Sequence, residues 1–132
     1  MTFPRMVTVR QRFTTGRIDD PSTETARRLA ESGLLDSIAP GSRIAVTAGS
    51  RGIHCIAGIL RAVAGALKEA GAEPFIVPAM GSHGGGTSDG QRDMLAGLGV
   101  TEASMGVPVL SSVETVDLGM TASGVPVFMD RL

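Results

Sequence analysis

The sequence predicts an α/β protein: a Rossmann-like three-layer domain with a mostly parallel sheet and a C-terminal β-hairpin. Three observations carry that expectation. Two short apolar runs, Ile44–Thr47 and Pro74–Met80, flank a long segment with helical apolar periodicity, Ile53–Ala70, which is the strand–helix–strand pattern of a parallel crossover. Each run empties into a glycine-rich turn just before a helix. From Val107 onward the texture changes to two short β-type runs around a glycine-bounded loop.

Taken in order, Met6–Phe13 alternates toward a strand, with Val7, Val9 and Gln11 on one face. Asp20 then caps a helix that starts at Pro21 and runs to about Leu35, because proline is well placed at the first helical position and aspartate accepts from the free N–H groups behind it. The connector Ala39-Pro40-Gly41-Ser42 leads into the strand Ile44–Thr47, followed by the turn Gly49-Ser50-Arg51-Gly52 and the helix Ile53–Ala70. The strand Pro74–Met80 opens into Gly81-Ser82-His83-Gly84-Gly85-Gly86-Thr87, with Ser88 and Gln91 at capping-box spacing for a helix that reaches Leu98. Gly99 ends that helix, and Thr101 opens a short helical turn. The runs Val113–Leu118 and Val125–Phe128, joined through Gly119–Gly124, form the expected hairpin.

Composition sets the limits. The 132 residues suffice for one domain, taken as 1–132, and are too few for two. Hydrophobic residues make up 42%, enough for a core built from Ala, Val, Leu and Ile, while the absence of Trp and Tyr disfavours ligands that need an aromatic cage or stacking platform. A net charge of −1, with no basic stripe beyond Arg5 to Arg17, gives no indication of nucleic acid. The single Cys55 forms no internal disulfide; with no recognisable leader, this points to the cytoplasm. No apolar run approaches the ~20 residues of a membrane span.

The chemistry of the two glycine turns follows from their position. A strand-to-helix turn leaves N–H groups at a helix N-terminus unpaired, so it can hold a phosphate or carboxylate. His83 lies in one such turn and Arg51, with its planar fork of donors, in the other. If the two strands pair in parallel, both turns emerge at the carboxyl edge of one sheet, where open α/β sheets bind ligands, and Arg51 and His83 become neighbours. Isolated, each turn also reads as a plain connector carrying a solvated side chain.

Sharper motifs are less complete. Ala48-Gly49-Ser50-Arg51-Gly52 approaches the nucleophile elbow of α/β-hydrolases, but lacks the first glycine and has no acid and histidine further along as that fold requires. His54 and Cys55 are adjacent and point different ways on a helix, so they make no metal site and read as ordinary helix residues with Cys55 partly buried. Asp89 and Asp93, one turn apart, read as a solvated helix face. Neither a G-x-G-x-x-G fingerprint nor a Walker A lysine is present.

The segments AVTAGSRGI, PFIVPAMGSHGGGTSDGQ, LAGLGVTEASMGVPV and VDLGMTASGVPVFMDR together, in this order and covering most of residues 43 to 131, resemble the N-terminal part of the nickel-dependent lactate racemase family and its 2-hydroxyacid racemase and epimerase relatives. The resemblance implies a site between two α/β domains that holds a nickel-pincer nucleotide, pyridinium-3,5-bisthiocarboxylic acid mononucleotide nickel, and interconverts stereoisomers of a small 2-hydroxy acid. His83 falls at an acid–base histidine of that family and Arg51 at its substrate-binding arginine, with Ser50, Gly52, Gly81, Ser82 and Gly84 shaping the cofactor pocket. Ala48 stands where the family has an aspartate three residues before the arginine, which leaves the particular 2-hydroxy acid open. The second histidine, the cofactor-holding lysine and the nickel ligand are expected after Leu132, so the chain is expected to be inactive alone and to need a C-terminal domain or a separate chain. The alternatives are a non-catalytic anion- or nucleotide-binding module, a fragment without an independent role, or an α/β-hydrolase-like fragment. In either of the first two, the hairpin from Val113 to Met129 is the expected place for an exposed apolar face.

Overall fold

A computed structural model of the chain describes residues 6–13 and 16–132. Residues 6–13 form no strand: they are exposed, with Met6, Val7, Val9 and Phe13 all more than two-thirds open to solvent. The alternation is present, but no neighbouring strand receives it.

The first helix, α1 (Pro21–Glu31), starts as expected, with Asp20 Oδ1 accepting from the N–H groups of Ser22 and Thr23 at 3.0 and 3.1 Å. It stops short of Leu35. Ser32 Oγ donates to the Leu29 carbonyl and accepts from Leu34 N–H, offering the backbone a turn in place of another helical one, and a 3-10 turn follows at Leu35–Ser37. On the surface of α1, Glu24 accepts from both Arg27 and Arg28, which lowers its pKa from 4.5 to about 2, the Arg27 bond contributing most. A carboxyl held below its ordinary value adds stability that is fully present above pH 4.5 and is lost as the pH falls toward 2. We therefore expect α1 to fray across that acid window while the sheet remains folded, as followed by amide chemical shifts. Added salt should weaken the effect, because the pair lies on the surface.

Strand β1 (Arg43–Ala48) and strand β2 (Glu73–Pro78) pair in parallel over six positions, Arg43 opposite Glu73 through Ala48 opposite Pro78, and α2 (Ile56–Glu69) is the crossover between them. After β2 come α3 (Ser88–Gly97) and α4 (Glu102–Met105), and then a single parallel bridge of Val109 to Ile76. Ile76 N–H donates to the Pro108 carbonyl at 2.8 Å and Leu110 N–H to the Ile76 carbonyl at 2.9 Å, so the beginning of a third parallel strand lies beside β2. The core forms on one side of this sheet, where Ile56, Leu60 and Ala64 of α2, Leu95 of α3 and Met105 of α4 meet Ala48, Ile76 and Val109. Both crossovers therefore use the same face, and α1 packs outside α2, with Ser22 Oγ against Gly58.

Of the three-layer, mostly parallel Rossmann-like expectation, this arrangement shows the mixed α/β class with a short parallel pair and an antiparallel hairpin. The named strands form two two-stranded sheets, one parallel and one antiparallel. On the sheet face away from the helices Arg43, Ala45 and Thr47 of β1 are exposed, while Phe75 and Val77 beside them on β2 are buried. Two crossovers turning the same way can only fill one face; a second layer needs the strand order to reverse. What stands is a mixed α/β fold with a short parallel pair and a terminal hairpin. The hairpin, β3 (Thr115–Met120) with β4 (Pro126–Asp130), sits about two residues later than expected and carries a bulge between Asp117 and Met120. Among the described residues no helix is long and apolar enough to cross a membrane.

Candidate functional site

The carboxyl ends of β1 and β2 lie side by side, with Ala79 N–H donating to the Ala48 carbonyl at 2.8 Å as the last rung of the ladder. From here the two glycine turns leave together. They are joined by one hydrogen bond, between Ser50 Oγ and His83 Nδ1 at 2.6 Å, and both side chains are half-buried. The parallel register thus brings together two residues 33 positions apart, as the sequence led us to expect of this edge. The contact falls to Ser50 and not to Arg51, whose side chain is exposed and has no carboxylate partner among the described residues.

Helix α2 begins three residues later than the periodicity indicates. Gly52 has φ +87° and Cys55 φ +61°, and neither conformation can continue a right-handed helix. His54 and Cys55 accordingly lie in the turn before α2, which corrects their reading as helix residues, and Cys55 is exposed and not partly buried. At the N-cap its side chain makes no capping bond, so the first N–H groups of this 14-residue helix stay without a side-chain acceptor on the side from which the Ser50–Arg51 turn enters.

The His83 turn is held from beneath. Residues 83–86 form a 3-10 turn in which Gly84 and Gly85 have left-handed φ of 64° and 70°. The backbone of Gly84 lies directly on that of Gly90 in α3: a Cβ on Gly90 would strike the Gly84 carbonyl, and a Cβ on Gly84 would meet the Gly90 carbonyl oxygen at 2.5 Å and Gln91 N at 2.6 Å. Gly84 therefore lies in close packing against α3. Gln91 is buried and its Nε2 donates to the Gly81 carbonyl at 2.7 Å, tying the start of the turn to the same helix. The capping box expected of Ser88 and Gln91 is absent. Thr87 is the N-cap, its Oγ1 accepting from Gly90 N–H, while Ser88 Oγ donates to the Ser111 carbonyl. Gly52, Gly81 and Ser82 are exposed around the mouth of the two turns.

Two of these supports escape a linear reading for different reasons. Gly90 breaks the helix propensity of α3, and an unneeded glycine inside a helix is a visible sign of close approach. Gln91 carries no such sign, because its burial depends on where Gly81 lies. Asp89 is exposed and only 3.9 Å from Arg92, in keeping with a solvated helix face. No group of three or more His, Cys, Asp and Glu able to hold a metal occurs among the described residues. No family model, curated protein or solved structure matches the chain.

Proposed function

We propose that the chain is the N-terminal half of a racemase-like site for a small 2-hydroxy acid, acting in the cytoplasm, in which His83 is the acid–base residue and Ser50 its positioning partner. The observation that carries the reading is the Ser50–His83 bond at the carboxyl edge of the parallel pair. With the proton on Nδ1, His83 donates to Ser50 Oγ and keeps the Nε2 lone pair for a substrate hydroxyl; taking that proton gives the imidazolium, which still donates from Nδ1 to Ser50 Oγ and holds the Nε2 proton for return. The bond fixes the ring in both, which is what a residue that takes and gives back one proton requires. Arg51, an exposed fork with no carboxylate partner among the described residues, stands beside the uncapped start of α2, where it serves both the carboxylate of the 2-hydroxy acid and the phosphate of the nucleotide.

The described residues suit the anionic part of a nickel-pincer nucleotide better than its metal. The uncapped α2 N-terminus and Arg51 fit a phosphate, whereas the nickel ligands and a second acid–base residue would come from a C-terminal domain or a separate chain. When bound, the nucleotide supplies a hydride acceptor and donor for the α-carbon. This chain's part is to orient the carboxylate and to move the hydroxyl proton at His83 Nε2.

Calorimetric titration of the chain with the nickel-pincer nucleotide tests the reading. Saturable binding is expected, weakened at least about tenfold by Arg51→Ala, as loss of a charge-assisted bond implies, and changed only a few-fold by His83→Ala. Absence of binding by the folded wild-type chain would overturn it.

The same Ser–His contact favours one other reading, a hydrolase in which Ser50 is the nucleophile, since Ser50 occupies the central position of the elbow-like Ala48–Gly52 turn. Against it, Ser50 has no positive φ, α2 starts six residues further on, and no carboxylate among the described residues hydrogen-bonds His83 to orient it. We expect an alkyl fluorophosphonate to leave Ser50 unmodified by intact-mass measurement. Stoichiometric labelling abolished in both Ser50→Ala and His83→Ala would replace the racemase reading with the hydrolase one.

A further inference from the structure

We propose that residues 6–13 pair with the free edge of β3 in the same chain and complete a three-stranded antiparallel-hairpin sheet. Among the described residues two stretches of strand character have an edge or a whole length without a pairing strand. One is the hairpin, whose β3 is exposed at every position and whose β4 is exposed at all but Val127. The other is residues 6–13, exposed throughout and alternating in sequence. A two-stranded hairpin with neither face packed is at best marginal in water, and a third strand is the smallest addition that changes this.

The two stretches have the same division of faces. Pairing Val116 with Met129 puts Val116, Val127 and Met129 on one face, which carries no charge within the two strands. Pairing Thr115 with Asp130 and Asp117 with Phe128 puts both aspartates on the other. In residues 6–13 the alternation sets Val7, Val9 and Phe13 on one side and Arg10 and Arg12 on the opposite side. Laid along the hairpin with the apolar sides together, the segment extends the uncharged face and brings its two arginines to the face of Asp117 and Asp130. The reverse placement would put both arginines beside Val116, Val127 and Met129, so register parity is decided. The edge is decided as well. β4 contains Pro126, which has no N–H to give a ladder, whereas Thr115–Leu118 of β3 has none missing. The far end of the hairpin is already closed by Arg131 N–H to the Glu114 carbonyl and by the Arg131–Glu114 ion pair at 2.8 Å.

Amide hydrogen exchange followed by NMR tests this on the full chain. Alternate amides within 6–13, and those amides of Thr115–Leu118 that do not face β4, should exchange at least about tenfold more slowly than unstructured peptide, independently of protein concentration. Val7→Asp with Val9→Asp should abolish that protection while the Ile76 amide keeps its own, which shows that the variant remains folded. Arg10→Glu with Arg12→Glu should reduce it several-fold. Unprotected amides throughout 6–13 in the wild type would overturn the proposal. Protection that disappears on dilution together with a dimer would overturn the same-chain assignment in favour of strand exchange between two copies.

Discussion

Gly90→Ala is expected to destabilise the protein by about 3 kcal/mol and to dismantle the His83 turn. Considered as a helix residue alone the change should help, since alanine is favoured over glycine inside a helix by about 1 kcal/mol. The outcome reverses because the new Cβ has nowhere to go: it falls on the Gly84 carbonyl, with Thr87 Oγ1 at 2.9 Å on another side. The main obstacle is backbone, so relief requires the 3-10 turn at His83–Gly86 to move off α3. That displacement breaks the Ser50–His83 bond and the Gln91 tie to Gly81. Gly85→Ala is the internal comparison. It faces open space and meets only the left-handed backbone penalty, so it should cost about 1–2 kcal/mol and leave the turn in place. Thermal unfolding of both variants, with the His83 ring nitrogen shifts, distinguishes close packing from simple strain. A Gly90→Ala protein as stable as wild type, with the His83 signal unmoved, would rule out the Gly84–Gly90 contact.

Ile76→Ala should lower stability by about 2–5 kcal/mol, against about 0.5–1.5 kcal/mol for Ile76→Val. Ile76 has no exposed surface and stands opposite Val46, beneath α2 and α3, where every described element of the core meets. Its backbone bonds to Pro108 and Leu110 survive the substitution, so the loss is that of side-chain packing and the cavity left behind. For a domain whose total stability is of the usual 5–15 kcal/mol, that is a large share. Chemical denaturation gives the measurement: the midpoint should fall with little change in slope if the native fold is retained. A loss below about 1 kcal/mol for the alanine variant would mean that the sheet is not the centre of the core.

The proposed roles at the site depend on the same packing. Ser50 and His83 meet because α2 and α3 bury their apolar faces on one side of β1 and β2, which brings the two turns to a common edge. Arg51, one residue on, is left to solvent by that register.

The linear pattern was informative wherever the cause of structure is local. Asp20-Pro21 marked the start of α1, the apolar runs marked β1 and β2, the period of residues 53–70 marked α2 though not its first turn, and Val113–Phe128 marked a hairpin, because capping, strand alternation and helical repeat act over a few residues. The parallel pairing of β1 with β2 followed from the length and polarity of the crossover. The strand expected at Met6–Phe13 shows the limit of such patterns. Alternation makes a segment able to be a strand, but a strand needs a partner, and partner choice is not local. The number of layers, the partner of His83 and the burial of Gln91 belong to the same class. Sequence by itself determined the α/β character, the order of the helices and paired strands, and the two glycine turns that carry Ser50, Arg51 and His83. Tertiary structure alone decided that the helices share one face of the sheet, that Ser50 and not Arg51 meets His83, and that Gly84 lies against Gly90, because contacts between distant residues depend on how packed faces fit together and not on the residues next to them.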